Sequence, residues 1–265
     1  VAPGVSGAVY PGFGLKLIAA LASACASALL FRFMAVQSSW NAFSAFQVFG
    51  DHVPMDGFSL VVRIVADTHV LDRLVESRAK SQSPLDPALG QMMLRTSLGL
   101  ITTGMVSFVY ANIHEAIVVI RSEVVNDVGQ SLVVHDKLIS TWGGRMARMS
   151  GAVVPIVGRV YEFSDIGVVR TAVQACVDHL EDTTPLRSAH RLGLQLRGRG
   201  EPFHQSMIES IEEQTSLLDA HGINMDGLPT WWWRGVAAKL GNAAAGEVEL
   251  WPELPNSDEL VSHIG

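Results

Sequence analysis

Apolar residues recur along most of this chain at helical spacing rather than in strict alternation, so the elements predicted from the pattern are helices. Leu17 to Phe31 carries no charge within the run Lys16 to Val36 (KLIAALASACASALLFRFMAV). The run is short for a membrane span and rich in Ala and Ser, which suit close helix contact in lipid or in a protein core. Two readings stay open, a buried core helix and a membrane helix with Arg32 reaching the interface, beside a signal-like remnant that lacks a basic start. Asp56 can cap a helix with Leu60, Ile64, Leu71 and Val75 on one stripe and Arg63 and Asp67 outside it.

Ser81 to Pro87 reads as a loop ending in an Asp86 cap, with Pro87 at the first helical position. The tract from Ala88 to about Val125 holds no proline, which predicts one very long helix or two helices meeting near Gly104. Ser97 to Ile113, broken by Thr102, Thr103 and Gly104, falls inside it as a core helix. Further helices are predicted from Ser131 to Gly143-Gly144, from Ser164-Asp165 to about Glu181, from Phe203 to His221, from Thr230 to Gly241, and from Ser257 onward. Leu192, Leu194 and Leu196 alternate over too few residues to make a strand. The expectation is an all-α fold, a multi-helix bundle of about eight to nine helices with one long or kinked central helix.

The 265 residues are 48% hydrophobic and 17% charged, which excludes a disordered chain, a solvated coiled coil and a disulfide mini-protein. Cys25 and Cys176 lie far apart in apolar runs, the pattern of buried thiols in a reducing compartment rather than of a zinc site or a disulfide framework. The chain reads as one continuous domain with an N-terminal helical part, 1–130, and a C-terminal helical part, 131–265. Charge is uneven. Val1 to Asp136 holds 8 basic and 10 acidic residues, Lys137 to Arg199 holds 9 and 5, and Gly200 to Gly265 holds 2 and 11. A basic middle and an acidic tail can pair within one molecule or head-to-tail between copies.

Conventional catalytic signatures are absent from the sequence. There is no G-x-S-x-G, no phosphate-cradling Gly-rich loop and no H-E-x-x-H. His114-Glu115, His135-Asp136 and Asp178-His179 are adjacent, but neighbours on a helix point about 100° apart and do not form a couple. Only one Glu-x-x-His segment exists, Glu201 with His204, where a di-iron bundle needs two. Asp127, Ser131 and His135 at i, i+4 and i+8 resemble the magnesium-binding spacing of isoprenoid cyclases, yet place a His where that hard cation wants a carboxylate. No catalytic residue, metal ligand or cofactor is expected.

Two features point to contacts instead. Arg187, Arg191, Arg197 and Arg199, with His190 among them, present guanidinium forks suited to phosphate, carboxylate or lipid headgroups. Trp231, Trp232 and Trp233 fan over most of a helical turn, so at least one indole should face a protein partner or a membrane interface. The function these imply is a non-enzymatic structural subunit of a larger, membrane-associated (organellar) complex, held by protein partners or copies of itself and by Lys16 to Val36. The alternative is a helical coat or nucleocapsid-type protein that binds a nucleic-acid backbone through its arginines. A third reading is an all-α enzyme of unrecognised chemistry.

Overall fold

Runs of β-branched residues organise the centre of the molecule. In the computed structural model Gln47–Val48 (β1), Ser59–Ala66 (β2), Val106–Ala111 (β3), Glu115–Ile120 (β4), Ile156–Phe163 (β5), Val236–Leu240 (β6) and Val248–Trp251 (β7) are strands. They form one sheet of order β1-β5-β2-β4-β3-β6-β7 in which every neighbouring pair is antiparallel. The structure describes residues 40, 43–48, 53–78, 87–128, 131–241, 247–251 and 257–264. All of these elements lie in the unit Phe43–Gly265.

Thr68–Arg78 (α1) and Pro87–Ile101 (α2) link β2 to β3, and Ser122–Val128 (α3) and Ser131–Ser150 (α4) link β4 to β5. The resulting β-α-β-β-α-β run, with β2 between β5 and β4, is a split βαβ arrangement. Ile166–Asp182 (α5), Thr184–Gly198 (α6), Ile211–Ala220 (α7) and Thr230–Trp233 (α8) then precede β6, and Ser257–Ser262 (α9) follows β7. Asp165 caps α5 by accepting the Gly167 N–H at 2.8 Å. Ser210 and Glu213 form a reciprocal capping box on α7.

Alternation along β2 divides the sheet's two faces. Leu60, Val62, Ile64 and Ala66 join Met92 and Met93 of α2 and Leu138, Trp142 and Met146 of α4 in the main core. Val61 and Arg63 point to the opposite face and are buried too, and α5 packs against β2 and β5. Where both faces are covered, as along β2 and β4, strands lose the apolar–polar alternation that marks a half-exposed sheet.

The all-α expectation is therefore wrong: the fold is α/β, built on an antiparallel sheet. The stripe through Leu60 and Ile64 is strand β2, and the supposed central helix is α2, β3, β4 and α3 in succession. Thr102 to Met105 turn the chain between α2 and β3, with Gly104 at φ 74°. The helix expected up to Gly241 stops at Trp233 and gives way to β6, while α4 runs through Gly143 and Gly144 to Ser150. The helix expected from Phe203 to His221 starts later, as α7 behind its Ser210 cap. Pro87, Asp165 and Ser257 do mark helix starts. The run Lys16 to Val36 lies outside the described residues, and among those no helix is long and apolar enough to cross a membrane.

Candidate functional site

Where β2 ends, the β3–β4 hairpin and α6 contribute to one polar cluster. The Ala66 N–H bonds the His114 carbonyl at 2.8 Å, and the Asp67 N–H bonds the Pro155 carbonyl at 2.8 Å. Asp67 Oδ1 accepts the Val70 N–H at 3.0 Å, which starts α1. The hairpin reverses at Asn112, whose Oδ1 accepts the N–H groups of His114 at 2.8 Å and Glu115 at 3.0 Å. Such a side-chain turn suits Asn because its amide copies a backbone acceptor.

Glu115 is held from β2. Arg63 Nε donates to Glu115 Oε2 at 2.7 Å and Nη2 sits 2.6 Å from the same oxygen, with the two side chains 6% and 12% exposed. Asp72 on α1 meets His190 on α6, Oδ2 to Nε2, at 3.3 Å. Arg187 Nη2 donates to the Leu180 carbonyl at 3.0 Å, to Thr184 Oγ1 at 2.9 Å and to the Trp232 carbonyl at 3.1 Å, tying α5, α6 and α8 together. Both Arg187 and Arg191 lie over the Trp232 indole, 5.6 and 5.8 Å from its centroid. Trp232 Nε1 donates to Ser188 Oγ at 2.8 Å.

Burial and mutual charge set the protonation of this cluster. Burial, then the Arg191 and Arg187 charges, push the His114 imidazole down to about 3, so the ring is neutral. Burial also lowers both guanidiniums to about 10, with each other's charge adding to the effect on Arg187. Burial works against the Asp72 carboxylate, but the hydrogen bond and charge of His190 and the charge of Arg191 hold it below its usual range. Burial raises the Tyr110 hydroxyl, which donates to the Arg234 carbonyl at 3.0 Å.

Of the four arginines singled out in the sequence, the structure brings Arg187 and Arg191 into this cluster. It leaves Arg197 and Arg199 exposed, six and eight residues beyond Arg191 at the end of α6. The tryptophans are largely used inside the chain. Trp232 is 2% exposed, Trp231 packs so tightly over Gly90 that a Cβ there would lie 2.5 Å from its ring, and Arg234 covers Trp233 at 5.5 Å. Asp127, Ser131 and His135 straddle α3 and α4 and do not share one helix.

Arg63, Asp72, Asn112, His114 and Glu115 were not foreseen as a group. A signal existed: Asn112 to Glu115 is a polar interruption between two β-branched runs, the mark of a hairpin. Among the described residues no group of three or more His, Cys, Asp and Glu side chains is placed to hold a metal ion.

No protein-family model matches the chain, and no curated protein matches it in sequence. Its fold does match solved structures. A bacterial tRNA(His) guanylyltransferase (Thg1)-like protein in complex with ATP superposes with a TM-score of 0.62 at 13% identity, over 87% of this chain and 97% of that one. A bacterial Thg1-like protein in complex with GTP gives 0.55 at 11%, over 87% and 97%. The tRNA(His) guanylyltransferase of Saccharomyces cerevisiae gives 0.56 at 10%, over 80% and 96%. These likenesses overturn the expectation of a non-enzymatic helical subunit and that of a helical coat or nucleocapsid protein. The chain has the α/β fold of guanylyltransferase-like proteins.

Proposed function

We propose that this chain is a nucleotidyltransferase-type enzyme that uses a purine nucleoside triphosphate and acts on RNA. The observation that carries the reading is the fold: nearly the whole of an ATP-bound guanylyltransferase-like protein superposes on 87% of this chain. A second feature supports the RNA half. A surface groove between α2 and α4 is lined by Arg95, Arg145 and Arg148 together with Thr102 and Ser140, and no acid lines it. Guanidiniums in an acid-free groove suit a phosphate backbone.

Nucleotidyl transfer commonly runs on magnesium ions shared between carboxylates and substrate phosphates. The described carboxylates of the hairpin cluster do not fit that use. Glu115 is engaged by Arg63, Asp67 caps α1 and Asp72 faces His190. What these residues supply is position and charge. The hairpin and the end of β2 are locked together by backbone bonds, and α6 brings two guanidiniums to the same end of the sheet.

The test is transfer of label from α-³²P-GTP or α-³²P-ATP to tRNA by the full chain, with and without magnesium. Incorporation into RNA with either nucleotide is the expected result. No incorporation with either nucleotide under any of these conditions overturns the reading.

A further inference from the structure

Two guanidiniums of α6, those of Arg187 and Arg191, are left without enough acceptors. Arg191 is 3% exposed, yet its Nη1 and Nη2 are buried with no hydrogen-bond partner. Arg187 spends Nη2 on three oxygens, but its Nε and Nη1 are buried and unpartnered as well. His114 Nδ1 beside them is in the same condition. Residues four apart on a helix are neighbours, so the two forks stand side by side on α6.

Charge repeats the imbalance. Among the described residues no carboxylate forms an ion pair with Arg187 or Arg191, and the Asp72 charge is what offsets Arg191. Asp72 is itself shared with His190. A buried cation without a counter-charge is strongly unfavourable, and buried N–H groups without acceptors add to that cost. The indole face of Trp232 offsets part of it, since a ring attracts cations, but a ring cannot satisfy four in-plane N–H donors.

We propose that Arg187 and Arg191, with the Trp232 indole and the His114 ring beside them, form a buried binding site for a phosphate-class oxyanion. Paired guanidinium forks match tetrahedral and planar oxyanions in both geometry and charge. The basic groove between α2 and α4 is a separate surface. This site does not rest on the transfer reading: an inactive chain that still binds phosphate here refutes the transfer reading alone.

Arg191 is the residue to change, because its Nη atoms hold no structural hydrogen bond, whereas Arg187 braces three elements. Thermal unfolding of the full chain is measured in chloride, and at equal ionic strength in inorganic phosphate, ATP or GTP. Phosphate or nucleotide should raise the wild-type midpoint with concentration. Arg191→Met should be at least as stable as wild type in chloride and bind the oxyanion about tenfold more weakly or worse. Arg191→Lys, which keeps the charge without the fork, should fall between the two. A response to inorganic phosphate identifies a free phosphate as the occupant, and a response to nucleotide alone identifies a phosphoryl tail. If Arg191→Met does not fold, calorimetric titration of Arg191→Lys against the wild type decides, and equal affinity of the two overturns the site. No saturable binding of any of the three probes, or full binding retained by Arg191→Met, overturns the site.

Discussion

Glu115 opens β4 with its carboxylate turned onto Arg63 of β2, and the pair is nearly shut off from water. Two charges in that position tolerate each other only together. Glu115→Ala should therefore cost about 3–5 kcal/mol, because it removes the buried carboxylate that faces the Arg63 guanidinium, while Glu115→Gln keeps an acceptor and should cost less. Urea denaturation of both variants checks this, and a loss below about 1 kcal/mol for the alanine would mean that water reaches the pair. At this scale the sequence was partly legible. Arg187 and Arg191 stood out as forks, but nothing in their spacing separates them from Arg197 and Arg199, which α6 carries on into solvent. The adjacency of His114 and Glu115 carries no signal on a helix, where neighbours diverge. The same adjacency on a hairpin serves two faces of a sheet, and Asn112 fixes the turn.

Elements were misread where burial removed the pattern. Ile117 to Ile120 in β4 form a continuous apolar run, and Val61, Val62, Ile64 and Val65 in β2 are interrupted only by Arg63, patterns that periodicity alone cannot assign to strand or helix. Their β-branched content was the deciding cue, because such side chains are stiff in a helix and pack well on a pleat. Helix starts were more legible, since Pro87 and Asp165 act through local chemistry that needs no partner element. Junctions between elements carry their own test. Gly235, between α8 and β6, has φ 85°, and a Cβ there would lie 2.7 Å from the Ala111 carbonyl oxygen. Gly104, between α2 and β3, has φ 74° with nothing within 4 Å. Gly104→Ala should cost only the left-handed backbone penalty of about 1–2 kcal/mol. Gly235→Ala should cost clearly more, because the β3–β6 pairing must also move. Equal shifts of the two urea midpoints would contradict the close approach at Gly235.

For the molecule as a whole, the hairpin cluster makes stability depend on pH in a stated direction. His114 is held neutral, with its protonation pushed from 6.5 to about 3 by burial and by Arg191 and Arg187 of α6, against a smaller opposing pull from Asp72 of α1 and beside His190. Between those two values the unfolded chain takes up a proton that the folded chain refuses, so stability is lost as pH falls. The slope reaches about 1.4 kcal/mol per pH unit from this one ring. His179, whose imidazole burial also lowers, acts in the same sense. Asp72 acts later: its folded carboxyl lies below 3.8, so its contribution disappears only as pH drops through that lower range. Denaturation in phosphate-free buffer at pH 7 and pH 5 separates these effects, because Asp72 stays ionised in both states throughout that interval. His114→Asn should lose measurably less stability over the interval than the wild type. If the two curves run parallel, His114 takes up its proton as readily in the folded chain as in the unfolded one. The guanidiniums beside it would then have to be neutralised by something other than the groups seen around them.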